Sequence, residues 1–217
     1  MPKERVALYV DGFNLYHALC ELNADHNKWL NLKKLGNLLI QTRTQTLVGV
    51  RYFSAYADFL KGTDKEASVH RHKVYVAALE AKGVEFIAGN FARRKWHYSG
   101  GPRYKAMWRR HEEKQTDVAI AVRVMKDAFC DEFDVALIVS NDSDMVPIFQ
   151  TLRQEFPDKG LITVSPPGRN HNPALVAEAT GNQRIARSQV EKALFGKKVI
   201  SRGRVVAYRP RAYDPPV

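Results

Sequence analysis

Residues 134–149 read DVALIVSNDSDMVPIF, and this stretch decides the fold. Val135 to Val139 is a short, β-branched apolar run, closed by Asp134 on one side and by Ser140-Asn141-Asp142-Ser143-Asp144 on the other. A strand covered by helices on both faces of a parallel sheet reads this way. A helix is expected to begin at Met145, so Asp142 and Asp144 fall at the carboxyl end of the strand. In open α/β sheets that edge is where ligands bind. Asp144 also has an ordinary reading as a helix N-cap, accepting the first unpaired N–H groups.

Working outward, Arg5 to Val10 (RVALYV) is a second buried strand, ending at Asp11-Gly12-Phe13-Asn14. Gly12 permits a sharp turn into a helix expected from about Leu15 to Leu22. A dinucleotide-binding unit would carry GxGxxG here, and this chain does not. A carboxylate and a carboxamide stand in its place, which suits a cation better than a pyrophosphate. Asp11 as a turn residue and Asn14 as a cap are the plain readings. Further along, a helix is expected over 32–42, a strand over 48–57, a helix over 65–82 and a strand over 84–88. Repeated βα units indicate a parallel, doubly wound sheet with right-handed crossovers. Thr116 is placed to cap a helix running to Cys130, with Asp117 in its first turn. That helix follows a strand, so Asp117 is expected on the same sheet edge as Asp11, Asp142 and Asp144. Residues 160–164 form a last strand, 165–171 a loop in which Arg169 could meet a phosphate, and 173–179 and 188–195 two closing helices.

At 217 residues the chain suits one α/β domain with a tail. No apolar run approaches the roughly 18 residues needed to span a bilayer. The opening MPKERVALYVDGF enters a strand at once, without signal-peptide layout, so a cytoplasmic, membrane-free protein is expected. Cys20 and Cys130 read as buried thiols without metal-ligand spacing. The net charge is +11, and two segments carry all of it: +6 within 93–114 and +5 within 196–217. A neutral body with two basic appendages suggests a polyanionic partner. The tail from Gly196 holds Pro210, Pro215 and Pro216 and reads as largely disordered.

The insert over 89–113 interleaves cations and rings around a Gly100-Gly101-Pro102 turn. Arg93, Arg94, Lys95, Trp96, Arg109, Arg110 and the adjoining Lys114 suit a single-stranded nucleic acid, with cations on phosphates and rings on exposed bases. The competing reading is a β-hairpin whose aromatics pack on the domain, since tryptophans are highly buried on average.

Four carboxylates arriving at one edge from separate segments repel one another unless a cation neutralises them. Hard oxygen ligands suit Mg²⁺ or Mn²⁺. With phosphate-binding cations nearby, the chemistry that fits is metal-assisted phosphodiester hydrolysis. An Asp-nucleophile phosphatase is disfavoured, because its DxD usually follows the first strand, where this chain has DGFN.

DGFNL at 11–15, EKQTDVAIA at 113–121 and SNDSDMVPI at 140–148 together resemble the NYN family of PIN-like nucleases, in its LabA-like branch. The likeness spans about 4–195, leaving the insert and the tail to composition alone. It implies a PIN-like, Rossmannoid three-layer domain over 1–195 with a five-stranded parallel sheet of order 3-2-1-4-5, and a separate tail over 196–217. By motif, Asp11, Asp117, Asp142 and Asp144 match acidic metal-binding positions, Asn14 an ordering asparagine and Ser140 a small polar residue. Asn141 and Gln115 depart from the pattern, which often has glycine at both places. The expected activity is a Mg²⁺- or Mn²⁺-dependent ribonuclease on single-stranded RNA, with DNA as a second substrate class. The alternative is a nucleic-acid-binding regulatory protein that keeps the metal site with little or no nuclease turnover. Nothing in the chain indicates a homo-oligomer.

Overall fold

The computed structural model describes residues 2–97 and 107–216, with side chains described outside 91–114. In chain order the elements are β1 (Glu4–Asp11), α1 (Gly12–Glu21), α2 (Leu32–Leu39), β2 (Gln45–Ser54), α3 (Glu66–Glu80) and β3 (Glu85–Ala88). Then come β4 (Asn90–His97), β5 (Met107–Lys114), α4 (Thr116–Phe129), β6 (Val135–Val139), α5 (Val146–Glu155) and β7 (Gly160–Ser165). The last are α6 (Pro173–Glu178), β8 (Gly181–Arg184), α7 (Arg187–Lys192), β9 (Lys198–Ser201) and β10 (Arg204–Tyr208).

The main sheet has six strands in the order β3-β2-β1-β6-β7-β8, all parallel. Counted within that sheet the order is 3-2-1-4-5-6, which is the expected arrangement plus one edge strand. β8 reads GNQR, with every residue half-buried or exposed, so it carries no apolar signal. It is recruited by main-chain pairing with β7 alone. All five residues of β6 are buried, as a strand covered on both faces requires.

Two cores flank the sheet. Val6, Leu8 and Val10 point with α1, α2 and α3 into one, while Ala7 and Tyr9 meet Ile120 and Val124 of α4 and Phe149 of α5 in the other. The period-2 alternation of β1 thus splits its side chains between the layers. Each fully buried Leu or Val removes apolar area worth about 1.5–3 kcal/mol. The second layer also contains a buried charge network. Asp127 of α4 accepts the Tyr9 hydroxyl at 2.8 Å, and lies 2.9 Å from Arg51 Nε of β2 and 2.7 Å from Arg123 Nε. Arg123 continues to Glu85 at 2.5 Å, so the network ties α4 to β1, β2 and β3.

The tail expected to be disordered is folded. β9 and β10 pair as an antiparallel hairpin closed by Arg202 and Gly203, both at positive φ (48° and 76°). Positive φ at both central residues is the geometry of a tight type I′ turn. Val199, Ala207 and Tyr213 are buried in the α1–α3 layer, and Trp29 Nε1 donates to the Gly196 carbonyl at 2.9 Å. Pro210 precedes the short 3₁₀ turn Arg211–Tyr213 that brings in Tyr213, and Pro215 and Pro216 follow it. Cys20 is half-buried and Cys130, at the end of α4, is exposed, so the thiol expected to be buried there is not. Among the described residues no helix is long and apolar enough to cross a membrane.

Candidate metal centre

The parallel register puts the ends of β1 and β6 side by side, with Val10 opposite Val139. Asp11 and Ser140 are therefore the next residues on adjacent strands. Gly12 follows without positive φ. A Cβ there would stand 2.5 Å from the Tyr52 ring and 2.6 Å from the Phe53 carbonyl, so glycine serves close approach rather than the turn expected of it.

Asp11 is 5% exposed, and both its oxygens are engaged. Oδ1 accepts the Asn14 N–H at 3.0 Å, capping α1, and Oδ2 accepts the Ser140 hydroxyl at 3.0 Å. Burial pushes its pKa up to about 6, the two hydrogen bonds oppose this, and the charges of Asp117 and Asp142 add to the rise. Ser140, fully buried, also accepts the Asp142 N–H at 3.2 Å. Asn14 Oδ1 accepts the Asn141 N–H at 3.3 Å, which joins α1 to the loop after β6.

Asp142, not Asp144, is the capping residue. Its Oδ1 accepts the Asp144 N–H at 3.0 Å, starting a short 3₁₀ turn over Ser143–Met145 ahead of α5. The Asp144 carboxylate is thereby left to other work. Asp117 arrives from the first turn of α4. Thr116 is not the N-cap of that helix. It is the first helical residue, and Gln115 precedes it in the left-handed conformation, φ 76°. Glycine adopts that φ without penalty, whereas a side chain costs about 1–2 kcal/mol there.

Carboxylate oxygens of Asp117, Asp142 and Asp144 lie within 4.8 Å of one another. Oxygens bound to one divalent ion at about 2.1–2.6 Å sit up to about twice that distance apart, so these three can share an ion. Asp11, expected as a fourth ligand, is not one of these three, and the charges of Asp117 and Asp142 act on its carboxylate. Among the described residues neither Asp142 nor Asp144 is paired with a Lys or Arg. The donor set is thus all carboxylate, hard and anionic, which suits a hard divalent cation.

The expected nucleic-acid contacts divide in two. Arg169 is paired with Glu21 at the end of α1. Arg93, Arg94, Lys95 and Trp96 fall on β4, and Arg109, Arg110 and Lys114 on β5. Their side chains, and the Gly100-Gly101-Pro102 turn, lie outside the described residues. The backbone forms an antiparallel hairpin that sets Arg94 opposite Arg110 and Trp96 opposite Trp108. Its base is at the acidic edge: Asn90 pairs with Lys114, and Asn90 Nδ2 donates to Gln115 Oε1 at 3.3 Å, two residues before Asp117.

Sequence reasoning passed over a clasp beside the centre. Asn141 Nδ2 donates to the Asn170 carbonyl at 2.9 Å, and its Oδ1 accepts the Asn172 N–H at 3.1 Å. Asn172 Oδ1 in turn caps α6 by accepting the Ala174 N–H at 3.0 Å. The signal was present as Asn172-Pro173, a cap followed by proline at the first helical position.

The solved structure of VPA0982 from Vibrio parahaemolyticus RIMD 2210633, titled a protein of unknown function, superposes with a TM-score of 0.52 at 18% identity, over 84% of this chain and 93% of that one. At that identity the likeness concerns the fold alone. A curated relative, the 6-hydroxy-3-succinoylpyridine 3-monooxygenase HspA of Pseudomonas putida (strain DSM 28022 / S16), is 26% identical over 89% of this chain and 72% of its own length. The NYN domain profile matches residues 5–182, a span that runs from β1 to β8 and takes in every carboxylate of the cluster. By that match the chain is a member of the NYN domain family, within the PIN-like nuclease superfamily.

Proposed function

We propose that this chain is a divalent-metal-dependent phosphodiester hydrolase acting on single-stranded RNA. The observation that carries the reading is the convergence of Asp117, Asp142 and Asp144 within 4.8 Å, at the base of a hairpin that bears Arg and Lys at successive positions. Asp117, Asp142 and Asp144 would hold Mg²⁺ or Mn²⁺. A bound ion of this kind supplies Lewis-acid activation of water and neutralises charge on the leaving oxygen. Asp11 holds Ser140 and the start of α1 in register, which fixes the Asp142 backbone and hence the direction of its carboxylate. Asn14 ties the same loop from the other side. The hairpin cations would position the phosphate backbone without reading sequence.

The decisive experiment is Mn²⁺-dependent cleavage of labelled single-stranded RNA by the wild type and by Asp142→Asn. Cleavage should be lost in the variant, while the Asp144 N–H keeps an acceptor in the introduced carboxamide oxygen and the fold persists by circular dichroism. Cleavage that survives the substitution, or that is indifferent to EDTA, rejects the assignment.

A further inference from the structure

The metal centre leaves the C-terminal basic segment without a role, although that segment carries +5 of the net charge of +11. In the fold, β10 packs along α3, and between them lies a groove of about 720 Å³. Arg71 and Lys73 of α3 line it on one side, Arg209 and Arg211 line it on the other, and among the described residues no carboxylate does. The two carboxylates paired with these cations do not cancel their charge. Asp58 is shared, 3.0 Å from Lys61 and 3.5 Å from Lys73, and Asp214 pairs with Arg209 at 2.9 Å. Arg71 and Arg211 have no carboxylate partner among the described residues. A concave surface lined by one sign of charge concentrates the opposite sign, here an anion with several charges.

The hairpin adds a second chemistry to this wall. Tyr208 lines the groove and is 56% exposed, and Lys198, opposite it in register, lies over its ring at 5.8 Å. Ile200 and Val206, two residues along each strand, are exposed as well. Rings and aliphatic side chains left in water beside cations suit an unpaired base, whose phosphates reach the cations while its face covers the ring. An acidic peptide brings the charge without the flat faces, and a duplex keeps its bases stacked on one another. The combination therefore selects a single-stranded nucleic acid.

We propose that the groove between α3 and β10 binds a stretch of single-stranded RNA, with phosphates on Lys73, Arg209 and Arg211 and a base stacked on Tyr208. It is a second nucleic-acid surface, built from other elements than the β4–β5 hairpin, and it needs neither the ion nor the carboxylates. The choice of RNA as the strand rests on the hydrolase reading above.

The test is fluorescence anisotropy of a short labelled oligouridylate titrated with the full chain in EDTA, with a parallel series in Asp142→Asn. Lys73→Gln combined with Arg211→Gln alters two exposed side chains, and thermal melting verifies that the fold persists. Affinity should fall at least about tenfold at low salt, and the slope of log affinity against log salt should become shallower by about 1.4, at about 0.7 per phosphate contact on a single strand. Tyr208→Ala should weaken binding about fivefold or more, and Tyr208→Phe should not. Lys126→Gln combined with Arg153→Gln removes the same charge from α4 and α5, in the opposite layer, and should leave affinity within about twofold. A wild-type salt slope in the folded groove variant, an equal loss in the α4–α5 variant, or wild-type affinity in Tyr208→Ala overturns the proposal. So does displacement of the RNA by polyglutamate as readily as by unlabelled RNA, which would assign the groove to acidic peptides. Binding is read without metal and cleavage with it, so failure of the groove and failure of the hydrolase reading appear in different measurements.

Discussion

The Ser140 hydroxyl donates to Asp11 Oδ2 at 3.0 Å, linking the ends of the two central strands beneath the carboxylate cluster. The Ser140 hydroxyl oxygen also accepts the Asp142 N–H, so one fully buried serine sets the spacing between β1 and the loop that carries Asp142 and Asp144. Ser140→Ala removes both bonds and leaves Asp11 buried with one partner fewer. A loss of about 1–3 kcal/mol is expected in urea unfolding, the cost of orphaning buried polar groups. Mn²⁺ affinity should fall in parallel by titration calorimetry. A variant as stable as the wild type would show that the bond does not matter.

Asp127 accepts hydrogen bonds from Tyr9 and Arg123 and forms a buried ion pair with Arg51 at 2.9 Å. Arg51 is 8% exposed, so Asp127→Asn would leave a guanidinium buried without its counter-charge. Removing one partner of a buried ion pair costs about 3–5 kcal/mol. The midpoint of chemical denaturation should drop accordingly, and a shift under about 1 kcal/mol, the surface-pair range, would refute the network's role.

Gln115 carries a conformational penalty at φ 76° that glycine would not. Gln115→Gly should therefore raise the melting temperature, by a net gain of up to about 1 kcal/mol once the added freedom of the unfolded chain is subtracted. The lost bond from Asn90 works against this, so a fall in melting temperature would mean that the Asn90 contact outweighs the strain.

His72 makes stability depend on pH in a defined window. Its folded pKa is about 4 against 6.5 for the free side chain, so the unfolded chain binds more protons between those values. The contribution is intact above pH 6.5 and is lost as pH falls toward about 4, to a total of about 3 kcal/mol. Unfolding free energies measured from pH 7 to 4.5 should decline less steeply in His72→Leu. Parallel slopes in the two proteins would count against a buried, neutral imidazole.

The sequence alone determined the central strands and the carboxylate edge. RVALYV and VALIV are apolar runs too short for helices, and strands buried on both faces leave few other readings. Asp11, Asp117, Asp142 and Asp144 were legible for the same reason, because each stands where a strand ends or a helix begins. What periodicity cannot carry is pairing between distant segments. β8, with no apolar residue, is a strand only because β7 offers an open edge, and the Pro-rich tail folds because Val199, Ala207 and Tyr213 find a core already assembled. Tertiary structure likewise decided that Asp11 caps α1 and accepts from Ser140, while Asp117, Asp142 and Asp144 converge. Burial and hydrogen-bond partners sorted four chemically similar side chains into different tasks, and both arise only when the strands lie side by side.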